Sequence, residues 1–148
     1  MVNRKLHPKK FFTEEEKKRI VQAIQAAERQ SSGEIRVVLE KKGRGEIFPR
    51  AKKFFEKLRM TQTQHRNGVL IYLSLHSRSF ALLGDKGIHE KMGDDFWKDV
   101  TLTMQSAFTR GDFLRGLEQG LRQIGEKLKL HFPKRPGDIN ELPDEVTE

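Results

Sequence analysis

Residues 84–95 hold the densest set of groups that could do chemistry, in the order Gly-Asp-Lys-Gly-Ile-His-Glu-Lys-Met-Gly-Asp-Asp. The carboxylates of Asp85, Glu90 and Asp94 are hard oxygen donors, the ligand type that Ca²⁺ and Mg²⁺ prefer. Glu34, at the start of a predicted strand, is placed to reach them from across the sheet. The pattern predicts a divalent-cation site made of these four residues. The alternative is that Asp94 and its neighbour only cap a helix.

Glycines and lysines in the same segment determine how strongly such a site would bind. Gly84 and Gly87 flank Asp85 and favour a loop whose backbone can wrap an ion. Lys86 and Lys91 reduce the local negative charge, and Ca²⁺ affinity follows the charge of the ligands. We therefore expect an affinity no better than ~10⁻⁴–10⁻³ M.

No complete catalytic motif accompanies these carboxylates. The chain has no cysteine, which excludes thiolate nucleophiles and disulfides. Gly43-Arg44-Gly45 follows a predicted strand, but Phe48 stands where a dinucleotide fingerprint needs its last glycine. His89-Glu90 begins a zinc-protease motif whose second histidine is replaced by Gly93. The other four histidines are scattered and predicted to lie on the surface, and neither a Walker A sequence nor a G-x-S-x-G elbow occurs.

The charge of the chain is uneven along its length. The formal net charge is +8, with 29 Lys and Arg against 21 Asp and Glu. Residues 1–135 hold all 29 basic residues but only 16 of the acids, so their net charge is +13. Such a basic body favours an anionic partner, an acidic tail that folds back on it, or solubility alone.

The predicted second helix concentrates this positive charge on one side. Its basic residues are Arg50, Lys52, Lys53, Lys57 and Arg59. This side could neutralise phosphates. The aromatic residues follow core-like helical spacing, and we expect no exposed aromatic on which bases could stack. Any binding of nucleic acid should therefore be weak and non-specific.

The elements that position these groups alternate between helices and strands. A Thr13–Glu16 capping box starts a helix that ends near Gly33. Strands are predicted at 34–40, 68–75 and 79–83, with a helix from Pro49 between the first two and two helices, from 96 and 112, after the third. A strand-helix-strand unit followed by a hairpin predicts an α/β fold. We expect a three-layer α/β/α sandwich with a mixed, Rossmann-like central sheet.

The same reading divides the chain into three parts. Residues 1–12 are predicted to be a basic N-terminal arm, 13–132 the folded domain, and 133–148 a proline-containing acidic tail. Ile139, Leu142 and Val146 could dock this tail on the domain. No apolar run is long enough for a signal peptide or a membrane span, which favours a cytoplasmic location.

Several short motifs, in order, resemble the TPM domain family, which includes acid-phosphatase-like proteins of the thylakoid lumen. They are Ser-Gly-Glu-Ile-Arg-Val at 32–37, Asn-Gly-Val-Leu-Ile at 67–71, Gly-Asp-Lys-Gly at 84–87 and Gly-Asp-Phe at 111–113. The resemblance runs from Phe12 to about Phe132 and looks most like a cytoplasmic branch that bears an acidic tail. It implies an α/β/α sandwich and, for some relatives, divalent-metal binding, weak phosphatase activity or a role in assembling larger complexes.

Three positions depart from what that resemblance implies. Arg66, Ser77 and His89 stand where the family often has acids, whereas Asp94 matches a common family aspartate. Fewer acids near a cation weaken both a metal site and a metal-dependent phosphatase. The sequence therefore favours a module that binds a protein partner or assembles a complex, with at most weak metal binding. A low-activity phosphatase and a weak nucleic-acid binder are the alternatives.

Overall fold

The computed structural model describes residues 4–29, 31–42, 45–93, 95–134 and 146–148. These residues form six helices and four strands. In chain order the elements are α1 (Pro8–Phe11), α2 (Glu14–Glu28), β1 (Glu34–Glu40), α3 (Ile47–Lys57), β2 (Gly68–Ser74), β3 (Ser79–Gly84), α4 (Lys86–Met92), α5 (Lys98–Thr109), α6 (Phe113–His131) and β4 (Val146–Thr147).

The four strands make one mixed sheet in the order β3-β2-β1-β4. Strands β1 and β2 are parallel and pair from Glu34↔Gly68 to Glu40↔Ser74. Strand β3 returns antiparallel to β2, and the two-residue β4 pairs in parallel with β1. The predicted strand-helix-strand unit and hairpin are both confirmed.

The sheet has a hydrophobic core on each face. Alternate β1 residues Ile35, Val37 and Leu39 pack in a cluster with α2, α5 and α6. Val38, which points the opposite way, packs with Ala51 and Phe55 of α3. Helices therefore cover both faces, and the predicted α/β/α sandwich is confirmed.

The first helices tie the start of the chain to this core. The Thr13–Glu16 capping box is present, and the carboxylate of Glu16 accepts two hydrogen bonds of 2.8 Å from Arg4. The Arg4 guanidinium lowers the pKa of Glu16 to about 2. Within the predicted N-terminal arm, Phe11 and Phe12 are buried in the main cluster. The division into arm, domain and tail stays a prediction.

Helices α5 and α6 pack closely, as the spacing of Gly116 and Gly120 predicts. A side chain on Gly116 would meet the ring of Phe108, and one on Gly120 would meet Met104. Asp112 occupies the N-cap position of α6 as expected, but its side chain makes no capping hydrogen bond.

The predicted loop that starts at Gly84 is wrong in one respect, because most of it is helix α4. Asp85 begins the helix, and its side chain accepts a hydrogen bond from the backbone N–H of Lys86. The expected cap at positions 94 and 95 also differs. Asp95 lies in an exposed turn and α5 begins only at Lys98, while Asp94 lies outside the described residues.

The polar side of β1 is buried, although its alternation predicts a solvated face. Glu34 and Arg36 are both buried, and the end of the chain lies beside Arg36. Arg36 donates a hydrogen bond of 2.6 Å to Thr147, and Glu148 forms a salt bridge of 2.8 Å with Lys17. Val146 docks on β1 as the tail prediction expects, whereas Ile139 and Leu142 lie outside the described residues.

None of the described helices combines the length and the apolar character that a membrane crossing needs.

Candidate functional site

A tight ion pair between Arg66 and Asp85 occupies the centre of the predicted cation site. Asp85 follows β3 and is only 6% exposed. Arg66 donates to both of its carboxylate oxygens, from Nε at 2.7 Å and from Nη2 at 2.9 Å. The backbone N–H of Lys86 donates to Oδ1 at 2.8 Å. A bidentate arginine on a buried carboxylate is a strong, directional contact, so the lone pairs that a cation would use are already engaged.

The backbone around Arg66 is shaped to make this contact. Arg66 has a φ of 50°, a left-handed conformation that few residues other than glycine adopt. Its carbonyl accepts a hydrogen bond of 2.7 Å from the N–H of Gly87, and its own N–H donates to Thr63 at 3.2 Å. The N–H of Asp85 donates to the carbonyl of Gly68. Backbone hydrogen bonds therefore join the turn before β2 to the start of α4. They position the Arg66 guanidinium and the Asp85 carboxylate against each other.

Two further polar side chains are buried where β1 and β2 begin. Glu34 is paired in register with Gly68, and its N–H donates to the carbonyl of Asn67 at 3.5 Å. Asn67 is 1% exposed, and its Nδ2 donates to the hydroxyl of Ser32 at 3.1 Å. Its Oδ1 accepts no hydrogen bond within the described residues. Sequence reasoning did not select Asn67 as a site residue, because nothing in its local pattern shows that it is buried.

The remaining predicted ligands do not converge on Asp85. Glu90 is exposed on α4, with its carboxylate 3.8 Å from the ammonium of Lys86. Asp94 falls in a gap of the described chain. Across the ranges that the structure describes, no three His, Asp or Glu side chains come together as metal ligands. The cation site stays a prediction.

A small cavity of about 160 Å³ lies beside this ion pair. Its lining includes Ser32, His65, Glu90 and His131. Two histidines that are far apart in sequence therefore share one pocket, which the sequence pattern did not predict. Lys91 closes one side, with its ammonium 4.9 Å from the centre of the Phe132 ring.

A second polar surface lies at the opposite end of β1 and β2, where α3 begins. The carboxylate of Glu40, the last residue of β1, accepts hydrogen bonds of 2.7 and 2.6 Å from Arg50. It also accepts one of 2.6 Å from the hydroxyl of Tyr72. Arg50 lowers the pKa of Glu40, while burial raises the pKa of Tyr72. The pair fixes the first turns of α3 against the ends of the strands.

The outward side of α3 is basic, as the sequence predicts. Its exposed cations are Lys52, Lys53, Lys57 and Arg59, continued before the helix by Lys41 and Lys42. The first four form no salt bridge with a carboxylate of the described residues. Arg50 differs because Glu40 neutralises it. We call these six exposed cations, together with Phe48, the α3 surface.

Phe48 is an exposed aromatic side chain, a single ring and not the platform of several rings on which successive bases stack. It lies in the first turn of α3 and is 59% exposed. Phe48 lies three residues before Ala51, at the border of the apolar side, yet it is exposed whereas Ala51 and Phe55 are buried. A groove of about 650 Å³ runs beside it, lined by residues such as Lys42, Tyr72 and His76. The α3 surface therefore combines positive charge with one protruding ring.

The sequence matches the TPM domain profile over residues 7–127, which is most of the chain. The chain belongs to the TPM domain family. Among solved structures, this TPM chain is similar to the NMR structure of the BA42 protein from the psychrophilic bacterium Bizionia argentinensis. The two are 43% identical, the alignment covers 93% of this chain and 95% of that one, and the TM-score is 0.89.

A more distant TPM-like fold is the solution NMR structure of the N-terminal domain of a protein from P. gingivalis. It is 18% identical, the alignment covers 84% of this chain and 83% of that one, and the TM-score is 0.67. At that identity the likeness concerns the fold alone. A comparison with curated proteins finds no match. Within the TPM chain, Arg66 stands where the resemblance implies an acid, and that is the residue that engages Asp85.

Proposed function

We propose that this TPM chain is a binding module for an anionic partner and not an efficient enzyme. The observation that carries the proposal is the α3 surface, in which six exposed cations occur on and next to the helix that begins with the exposed ring of Phe48. Charge in such a patch steers and holds an oppositely charged partner. Exposed aromatic side chains are enriched where proteins make contacts. An acidic protein, a nucleic acid and an anionic lipid surface all have the required charge.

The Asp85 site supports catalysis less well than the α3 surface supports binding. A metal-dependent phosphatase needs carboxylates that are free to hold a cation and a position open to substrate. Here Asp85 already receives three hydrogen bonds, two of them from Arg66. We propose that a divalent cation binds weakly at most, through Asp85 and Glu90 with Asp94 and Glu34, and that it competes with Arg66.

Reversing two charges on the α3 surface should weaken binding to a polyanion. The variant Lys52→Glu, Lys53→Glu should elute from immobilised heparin at a clearly lower NaCl concentration than the wild type. Binding of polyanions depends on counterion release, so each lost cation lowers the affinity and its salt dependence. Gradient elution with the full chain measures this directly.

The matched control is Arg122→Glu, Lys129→Glu on α6, which covers the other face of the sheet. All four residues are exposed, and each double variant lowers the formal net charge from +8 to +4. The control should elute close to the wild type. An equal shift for both variants would mean that only net charge matters, and the proposed surface would be wrong.

Phosphatase activity should be absent above background. In the presence of Mg²⁺ or Ca²⁺, the wild type should hydrolyse a generic phosphomonoester no faster than the variant Asp85→Ala, Glu90→Ala. The single change Glu90→Ala, at an exposed position of α4, keeps the comparison valid if the double variant unfolds. A large, metal-dependent difference between wild type and either variant would establish the enzyme alternative.

A further inference from the structure

We propose that the α3 surface docks the protein on an anionic phospholipid bilayer, with Phe48 entering the boundary between headgroups and acyl chains. This inference rests on the proposed function, because it names the chemistry of the anionic partner. It concerns peripheral contact with a membrane surface and requires no helix that crosses the bilayer.

The layout of α3 is that of a helix lying along an interface. One side, with Ala51 and Phe55, is buried against the sheet. The opposite side exposes Lys52, Lys53 and Lys57 along a helix of 11 residues, which is about 16 Å long. A cluster of four to eight Lys or Arg on an amphipathic helix is attracted to anionic headgroups. Three of the six cations of the α3 surface lie on the helix and the other three just before or after it, so the surface as a whole carries a number within that range.

The position of Phe48 adds the apolar contact that charge alone does not provide. Phe48 and Lys52 are four residues apart, so they lie on the same side of the helix. Lys41 and Lys42, just before the helix, are also exposed. Lys42 also lines the same groove as Phe48, so lysines lie near the ring both before and on the helix. An aromatic ring that enters the interface while neighbouring lysines stay with the headgroups is the arrangement expected of peripheral membrane contacts.

The ring is held outward by a rigid base. Arg50, two residues after Phe48, is fixed to Glu40 by two hydrogen bonds. The ring of Phe54 lies 5.6 Å from that of Tyr72, which anchors the next turn. Because the start of α3 is fastened at both points, the backbone that carries Phe48 needs little further ordering on binding.

A bilayer fits the α3 surface better than a nucleic acid or a protein does. Single-stranded nucleic acids stack successive bases on several aromatic side chains, whereas Phe48 is the one large aromatic with an exposed side chain on the described α3 surface. Five of its six cations are lysines, which act as point charges and lack the bidentate geometry that favours specific phosphate recognition. A stable protein interface needs roughly 800 Å² per partner with an apolar centre. A bilayer needs only diffuse charge and one inserted group.

Vesicle co-sedimentation of the full chain tests the inference. One set of vesicles contains phosphatidylcholine alone and the other also contains about 30% phosphatidylserine, at about 0.1 M salt so that surface charge is only partly screened. The wild type should bind the second set only. Lys52→Glu, Lys53→Glu should reduce the partition coefficient at least about 25-fold, since each lysine contributes about fivefold.

Phe48→Ala should reduce the partition coefficient about tenfold, as expected for a ring that is only partly buried on insertion. The matched control is Leu130→Ala, because Leu130 on α6 is another large apolar side chain and is 77% exposed. That control should stay within about twofold of the wild type, since the α6 side does not face the bilayer. An equal loss for both variants would overturn the assignment of Phe48.

The remaining outcomes separate this inference from the proposed function. Retention on heparin without binding to anionic vesicles would overturn the inference and leave the proposed function standing. Binding to a single-stranded RNA that depends on Phe48, with no binding to vesicles, would replace the lipid surface with a nucleic acid. Loss of both heparin and vesicle binding in the wild type would overturn both. Equal binding to vesicles with and without phosphatidylserine would also overturn the inference.

Discussion

Replacing Gly87 with alanine should lower the free energy of unfolding by about 3 kcal/mol, the upper end of the cost of overpacking a well-packed region. A Cβ atom at this position would clash with the carbonyl oxygen of His65 and lie 2.6 Å from that of Arg66. Both contacts are with backbone, so no side chain can turn away to relieve them. The same turn accepts the hydrogen bond from the N–H of Gly87, so movement there also strains the Arg66–Asp85 pair.

Chemical denaturation followed by the fluorescence of Trp97 measures this loss. Trp97 is the only tryptophan and is nearly buried, so its emission reports global unfolding. The matched control is Gly45→Ala, at a glycine with φ of 79° and no atom within 4 Å of the added Cβ. The free energy of unfolding of that variant should fall by only about 1 kcal/mol, the cost of placing alanine in left-handed backbone. If Gly87→Ala were no worse than this control, the turn at 65–66 would not be the rigid support described above.

The strands and the main helices could be predicted because their determinants are local. The strand at 34–40 and the capping box at Thr13 are each determined within a few neighbouring residues, and both elements are present in the structure, although the polar residues of that strand are buried. The continuous apolar run from Val69 also indicates a central strand covered on both faces, as observed. A sheet with helices on both sides follows from the order of these elements.

The candidate site could not be predicted to the same depth, because its contacts join distant parts of the chain. Arg66 and Asp85 are 19 residues apart, and no periodic pattern in the sequence indicates that their side chains are in contact. Helix α4 contains Gly87, and in the sequence a glycine there favours a loop. Only the structure shows why glycine is needed, because the backbone of residues 65–66 approaches it closely. The exposure of Phe48 depends on where α3 starts relative to the sheet. The prediction of Asp85 as the central residue therefore identified a buried carboxylate but not its partner.

Removing the Arg66 guanidinium should make the Asp85 site bind a divalent cation at least about tenfold more tightly than the wild type. In Arg66→Asn the buried carboxylate loses its neutralising partner, and Ca²⁺ affinity rises with uncompensated ligand charge. Asparagine is suited to this position because it tolerates a positive φ better than most residues. The change therefore removes the charge and keeps the backbone that places the 65–66 turn against Gly87.

The free energy of unfolding of Arg66→Asn should depend on whether Ca²⁺ is present, whereas that of the wild type should not. Leaving the buried Asp85 carboxylate without its partner is destabilising, and solvent screening moderates the loss because Arg66 itself is exposed. Adding Ca²⁺ should restore part of that loss, because a ligand that binds only the folded state stabilises it by mass action. Denaturation with and without Ca²⁺ measures the restoration, and calorimetry measures the affinity.

Two further variants decide whether Asp85 is responsible. The double variant Arg66→Asn, Asp85→Asn should lose the added affinity, since residue 85 then carries no charge. Arg78→Asn is the matched control, because Arg78 has a φ of 54° and is exposed in the turn between β2 and β3. It should bind no more Ca²⁺ than the wild type. Micromolar affinity in the wild type, or no gain in Arg66→Asn, would show that Arg66 does not limit cation binding at Asp85.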